Sequence, residues 1–166
     1  MIIRPEGAAD HDAIHQVISA AFKDVLHSDQ SEPVLVHCLR EKGGLSLSLV
    51  AEDTTGAIIG HIAFSKVLID GEDQGWFGLA PVSVVPTNQN QGVGSALIKE
   101  GLSLLEKDGA MGCALLGEPD YYRRFGFESE TGLRLKNVPQ EFFMARLIKA
   151  ISFPEGTVTY HAAFGL

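Results

Sequence analysis

Apolar residues follow two spacings along this chain, and the switches between them predict its elements. Ile14, Val17, Ile18, Ala21, Phe22 and Val25 recur three and four apart, which predicts an amphipathic helix with Asp10 as its N-cap. A polar break at His27, Ser28, Asp29 and Gln30 precedes a second helix. Ser31 is placed to cap it, Pro33 lies in its first turn and Gly43-Gly44 ends it. The period then drops to two: Leu45, Leu47 and Leu49 alternate with Ser46 and Ser48, as in a strand with one buried face. Asp53 to Gly56 turns the chain into a long strand from Ala57 to about Ile69, and Asp70 to Asp73 turns it into another from Trp76 to Val85. These three strands predict an antiparallel meander.

The second half is less regular. A helix over Gly92 to Lys107 has its wet side at Lys99, Ser103, Glu106 and Lys107 and ends at Gly109. Met111 to Leu116 is a continuous apolar run, the pattern of a buried central strand. A brief helix from Pro119 to Phe125 and a strand around Phe127 follow. Phe142 to Ile148 fits strand or helix, and Thr157 to Phe164 reads as a final strand. Met1 to Glu6 reads as a first strand and lacks the basic, apolar, small-residue order of a signal peptide.

At 166 residues the chain is of single-domain size, taken as one domain over 1–166 and long enough to bury roughly 70% of its unfolded surface. Apolar residues at 45% and charged residues at 20% describe a globular chain with no run near the ~20 apolar residues that span a bilayer. Cys38 and Cys113 form neither a disulfide framework nor a zinc spacing, so a reducing cytoplasm is expected. The net charge of −8, with no basic stripe, argues against nucleic acid and favours a cationic partner such as an amine.

Candidate chemistry centres on Gln89-Asn90-Gln91-Gly92-Val93-Gly94-Ser95-Ala96, between a strand that stops at Pro86 and an apolar helix. The first amides of a helix lack intrahelical acceptors and carry partial positive charge. Glycines at 92 and 94 remove Cβ atoms that would hold a pyrophosphate away, so a phosphorylated cofactor is expected. A P-loop would need Lys after Gly94, where Ser95 stands, and a dinucleotide fingerprint would need a third glycine, where Leu97 stands. Pro81, inside a strand whose valines ask for burial, predicts a bulge.

The pattern Gln89-x-x-Gly92-x-Gly94 after a strand resembles the acyl-CoA signature of the GNAT superfamily of N-acyltransferases. Tyr122 to Gly126-Phe127 resembles the element that closes the cofactor site in that superfamily, and Gly78 to Val84 is similar to the fourth strand of small bacterial members. Order and spacing agree from about residue 2 to residue 128. The resemblance implies an α/β fold: a mixed, mainly antiparallel central sheet of about six or seven strands flanked by helices, splayed between the fourth and fifth strands. It implies acetyl-CoA as co-substrate, with contacts from Val82, Ser83, Val84, Gln89, Asn90, Gln91, Gly92, Val93, Gly94, Ser95 and Tyr122. The acceptor would be a small-molecule or peptide amine, without nucleic acid, membrane or metal, and a homodimer is compatible with the resemblance.

Transfer to an amine needs an oxyanion site, a proton donor for the thiolate and a base. The Val82 and Val84 amides are candidates for the first. By resemblance Tyr122 is the general acid, with Tyr121 as competitor. No acidic residue lies between Trp76 and Val85, so the base falls to Glu118, Asp120 or a water chain passing Ser83. His11 and His15 share a helix face without a third ligand, and His61 reads as a core histidine. A rival reading keeps the glycine turn in a non-catalytic acyl-CoA-binding regulatory module. Another keeps the enzyme with a longer acyl group.

Overall fold

The computed structural model describes residues 1–165. Two compact units divide the chain: Met1–Phe64 with Ala80–Leu102, and Ser65–Leu79 with Ser103 onward. The strands form a mixed, mostly antiparallel sheet. Its strands are β1 (Ile2–Pro5), β2 (Leu47–Glu52), β3 (Ile58–Ile69), β4 (Glu72–Val84), β5 (Gly112–Leu116), β6 (Glu128–Ser129), β7 (Leu133–Arg134), β8 (Phe143–Leu147) and β9 (Gly156–Thr159). Hydrogen-bonded neighbours run β1-β2-β3-β4-β5-β8-β6, with β9 on β3 and β7 on β9. Helices α1 (His11–Phe22), α2 (Glu32–Glu41), α3 (Val93–Lys107) and α4 (Pro119–Tyr122) complete it.

In the first unit, β2 lies antiparallel between β1 and the first half of β3, with Val50 opposite His61 and Leu49 opposite Ile62. Both faces of β2 are buried, Leu49 and Ala51 on one and Ser48 and Val50 on the other, so the single buried face expected from its alternation is not found. Val50 joins Ile14 and Ile18 of α1 and Val36 of α2 in a cluster with Phe22 and Ile58 at its edge. Each such side chain, fully buried, contributes about 1.5–3 kcal/mol. The predicted caps are used differently. Asp10 accepts from the Gly7 amide (2.7 Å) and pairs with Arg4 (2.7 Å), tying β1 to the start of α1 rather than capping the helix. The Ser31 hydroxyl turns back to Asp29 (2.5 Å).

The second unit is built on the far half of β3, the near half of β4, and strands β5 to β9. The β3–β4 hairpin turns on Asp70-Gly71 alone, both at positive φ (48° and 79°), so β4 begins at Glu72 instead of Trp76. Lys66 pairs with Asp73 (2.7 Å) on its exposed side. β4 and β5 run parallel, pairing Trp76–Gly78 with Gly112–Ala114, and β5 continues to Leu116 beyond that pairing. Phe142–Ile148 resolves as β8, antiparallel to β5 over its full length. The last predicted strand is shorter than expected. It stops at Thr159, because Tyr160 is drawn into the core cluster with Trp76, Val158 and Phe143, and the His161 ring accepts from the Ala163 amide (3.0 Å) to start a tight turn. Among the described residues the sheet has nine strands, where six or seven were expected. β6 and β7 have two residues each, too few for a periodic signal.

Candidate active site

Residues 60–69 of β3 stand against residues 72–84 of β4, between the hairpin turn and a bond from the Val85 amide to Ile59 O (3.0 Å). β4 therefore carries extra residues over the same span, the signature of a bulge, and Pro81 lies on that strand. Past Val85 the chain makes one tight turn at Pro86–Asn88 and enters α3 through Asn90 at φ 61° and Gly92 at φ 86°. Glycine at 92 is called for by the backbone conformation, not by a lack of room. Its backbone is left-handed, and a Cβ there would meet no atom within 4 Å, so the space in front of the turn is open. The helical ladder begins with the Ala96 amide bonding to Gly92 O (3.0 Å), which leaves the preceding amides ahead of it.

The side chains of this turn divide into two groups. Val93 is buried and belongs to the core, so only its backbone is available to a ligand. Gln89 donates through Nε2 to Val84 O (3.0 Å) and Gln91 to Thr87 O (3.2 Å), so both amide groups brace the turn from within. Ser83 is buried, and its hydroxyl has no protein partner.

In the second unit, β5 ends at Leu116 and Gly117 leads into α4. A Cβ at Gly117 would fall 2.5 Å from the Tyr122 ring, so glycine is what lets that ring lie against the backbone. Tyr122 also meets Phe127 edge-on at 6.1 Å and Tyr121 at 4.9 Å. Burial, with a smaller push from Tyr121, raises the Tyr122 phenol to about 12, so it holds its proton at neutral pH. Tyr121 is engaged differently: the Arg124 guanidinium lies 4.7 Å over its ring and donates to its carbonyl (2.9 Å). Glu118 is exposed and starts α4 through its carbonyl, which accepts from the Tyr121 and Tyr122 amides (both 3.1 Å). Asp120 faces Arg123 at 3.6 Å.

Other residues singled out by spacing lie elsewhere. His11 Nε2 sits 3.1 Å from Glu6, and among the described residues no group of three His, Cys, Asp or Glu is arranged to hold a metal ion. Cys113 is buried, which pushes its thiol well above the ordinary range. No helix among the described residues is long and apolar enough to cross a membrane. One residue outruns its sequence reading. His61 is fully buried in the first unit with Nδ1 lacking any protein partner, a state that costs roughly 1–3 kcal/mol if nothing offsets it. A lone histidine in an apolar strand gives no such signal.

The chain is similar to known proteins over nearly its whole length. The family described as Acetyltransferase (GNAT) domain matches residues 45–129. The N-acetyltransferase YhbS of Escherichia coli strain K12, itself uncharacterized, is 37% identical over 99% of this chain and 98% of its own length. A GNAT family acetyltransferase from Brucella melitensis, solved in complex with acetyl-CoA, is 47% identical with a TM-score of 0.88, covering 98% of this chain and 97% of that one. The structure of Escherichia coli YhbS in complex with CoA gives a TM-score of 0.89 at 36% identity, over 99% and 92% of the two chains. With its strand, glycine turn and helix inside the matched segment, the chain belongs to the GNAT family of acetyltransferases.

Proposed function

We propose that this protein moves an acetyl group from acetyl-CoA to a primary amine by direct attack of the amine on the thioester. One observation carries the reading: the left-handed Gly92 turn, with open space where a Cβ would stand and helix amides ahead of the first ladder bond. That is a fit for a diphosphate, which needs several N–H donors converging without side chains in the way. The relatives solved with acetyl-CoA and CoA support the choice of carrier.

In this reading the amides of residues 90–95 hold the diphosphate, with Gln89 and Gln91 keeping the turn in shape. The Val82 and Val84 amides, on the strand with the bulge, stabilise the oxyanion, a role typically worth about 3–4 kcal/mol per donor. Tyr122 protonates the departing thiolate. A phenol held near 12 is protonated at the start of every cycle and keeps its proton until a strong base forms beside it. Glu118 is a weaker candidate for the base, because it stands exposed at the start of α4, where a carboxylate is favoured by the helix dipole alone.

The test is a panel of amines assayed for CoA release, beside calorimetry with acetyl-CoA. Wild type should bind acetyl-CoA and release CoA with at least one amine class, and Tyr122→Phe should bind equally while turning over at least roughly tenfold more slowly. Binding without turnover across the panel would favour a regulatory acyl-CoA-binding module. No binding at all would end the transferase reading, and unchanged turnover of the Tyr122 variant would remove that residue from the mechanism.

A further inference from the structure

Glu6, Ser48 and His61 of the first unit, far apart in sequence, form one chain of polar contacts. Glu6 follows β1, Ser48 lies on β2, His61 on β3 and Ser83 on β4. Arg40 binds Glu6 through Nε (2.8 Å) and Nη2 (3.1 Å). Burial by itself would raise the Glu6 carboxyl, but the hydrogen bonds from Arg40 and Ser48 outweigh it and hold the group below the usual carboxylate range. An ionised carboxylate only accepts, so the Ser48 hydroxyl donates to Glu6 Oε1. Its oxygen is then left to accept, and His61 Nε2 lies 2.8 Å away. The imidazole must therefore carry its hydrogen on Nε2, and Nδ1 presents a bare lone pair. Burial holds the ring near 4, so it stays neutral at physiological pH.

That lone pair has no partner, and neither does the hydroxyl across from it. The bond from the Val85 amide to Ile59 O sets an antiparallel register in which Ser83 lies opposite His61, and opposed residues share a face of the sheet. Nδ1 of His61 and Oγ of Ser83 are both buried without a protein partner. Two buried polar atoms on opposed residues, neither with a protein partner and one held in a single tautomer by three residues behind it, leave an acceptor free for an N–H donor. Ser83 also stands between Val82 and Val84.

We propose that His61, with Ser83, receives the acceptor amine: the nitrogen donates an N–H to Nδ1, and His61 takes the proton that nitrogen sheds as the amide forms. This rests on the transferase reading above. The amine enters as the free base, its lone pair forms the C–N bond, and the C–S bond breaks. The sulfur takes the Tyr122 phenolic proton, the nitrogen's proton moves to Nδ1, and solvent returns one proton from His61 to Tyr122. The nitrogen of a forming amide is a far stronger acid than an ammonium, so a weakly basic imidazole suffices there. Glu6 and Ser48 are positioning residues, fixing the ring and its tautomer. Arg40 acts through Glu6.

Turnover with the amine found in the panel, calorimetry with acetyl-CoA and nitrogen-15 NMR of histidine-labelled protein together test this. His61→Phe should bind acetyl-CoA as wild type does while kcat falls at least about 100-fold. Ser48→Ala should lower kcat about tenfold and convert the single His61 tautomer into a mixture. In wild type, saturating amine should shift the Nδ1 resonance, a readout that needs no variant to fold. Turnover of His61→Phe within twofold of wild type, or an Nδ1 resonance unmoved by amine, would overturn the assignment and leave the transferase reading standing. A wild type that releases no CoA with any amine would overturn that reading first, and this one with it.

Discussion

The glycine turn at residues 86–95 and the polar chain from Glu6 to His61 belong to the same compact unit and are built on opposite plans. The turn is ten consecutive residues whose function lies in backbone amides, and its side chains either join the core, as Val93 does, or brace the loop, as Gln89 and Gln91 do. The polar chain takes one side chain from each of several segments and buries them. A backbone site needs glycines and a helix start, which are written contiguously. A side-chain network needs a register, which only the assembled sheet supplies. The two should therefore fail differently: the turn through local geometry, the network through protonation.

The largest expected effect falls on the buried network. An unfolded histidine titrates near 6.5, and His61 in the fold titrates at about 4 because burial disfavours its charged form. Between those values the unfolded chain binds a proton that the folded chain does not, so stability falls as pH falls through the window. The whole shift amounts to about 3 kcal/mol at 1.36 kcal/mol for each pH unit. Glu6 adds to the loss further down. Its folded carboxyl lies below the usual range, so its contribution is present above the unfolded carboxylate value and disappears as pH falls through the folded one. Urea titrations from pH 7 to 4 should show the decline in wild type, and His61→Phe should flatten its upper part. Equal pH dependence in both proteins would mean that His61 is not held neutral by burial.

The turn should respond less in stability and more in ligand affinity. Gly92→Val forces a β-branched residue into left-handed backbone, at a cost of roughly 1–2 kcal/mol. It also puts a methyl-bearing carbon into the open space before the helix amides. A melt lowered by a few degrees, together with acetyl-CoA binding weakened by more than about tenfold, is the expected pair of results. A lowered melt with unchanged affinity would separate the strain from the site and move the diphosphate elsewhere.

This contrast also marks what could be read before the structure was known. The three- and four-residue spacing of Ile14 and Ile18 gave the buried face of α1, and the alternation of Leu47 and Leu49 gave β2, because both signals are local. The Gly92 turn was legible for the same reason, as was the chain segment that bears Tyr122. Residues 129–156 were not, since β7 pairs with β9 across more than twenty residues and each contributes only two residues to that pairing. Asp10 looked like a helix cap because its sequence position suits one. Arg4 competed for the carboxylate with a charge-assisted pair and won it. His61 stayed hidden because its meaning depends on Ser48, Ser83 and Glu6, none of them near it in sequence.

The smallest effect asks whether the side chains of the turn touch the ligand or only hold the loop. Gln89 spends its amide donor on Val84 O, at an exposed position, so Gln89→Ala should cost only about 0.5–1 kcal/mol. If the residue acts by bracing, acetyl-CoA affinity should fall about two- to fivefold, by no more than the loop loses in order. Gln89→Glu loses the same donor, because a carboxylate at neutral pH cannot give a hydrogen to a carbonyl, and it adds a negative charge at the mouth of the turn. Against a diphosphate that charge should weaken binding further, and the extra loss should shrink as salt is raised, since exposed charges are screened within about 10 Å at 0.1 M. Calorimetry on the two variants at low and high salt therefore measures two things at once. The alanine value gives the worth of the brace, and the salt-dependent gap between alanine and glutamate reports how near the phosphates lie. A gap of zero at every salt concentration would place the diphosphate away from Gln89, and the amides of the turn would then need another occupant.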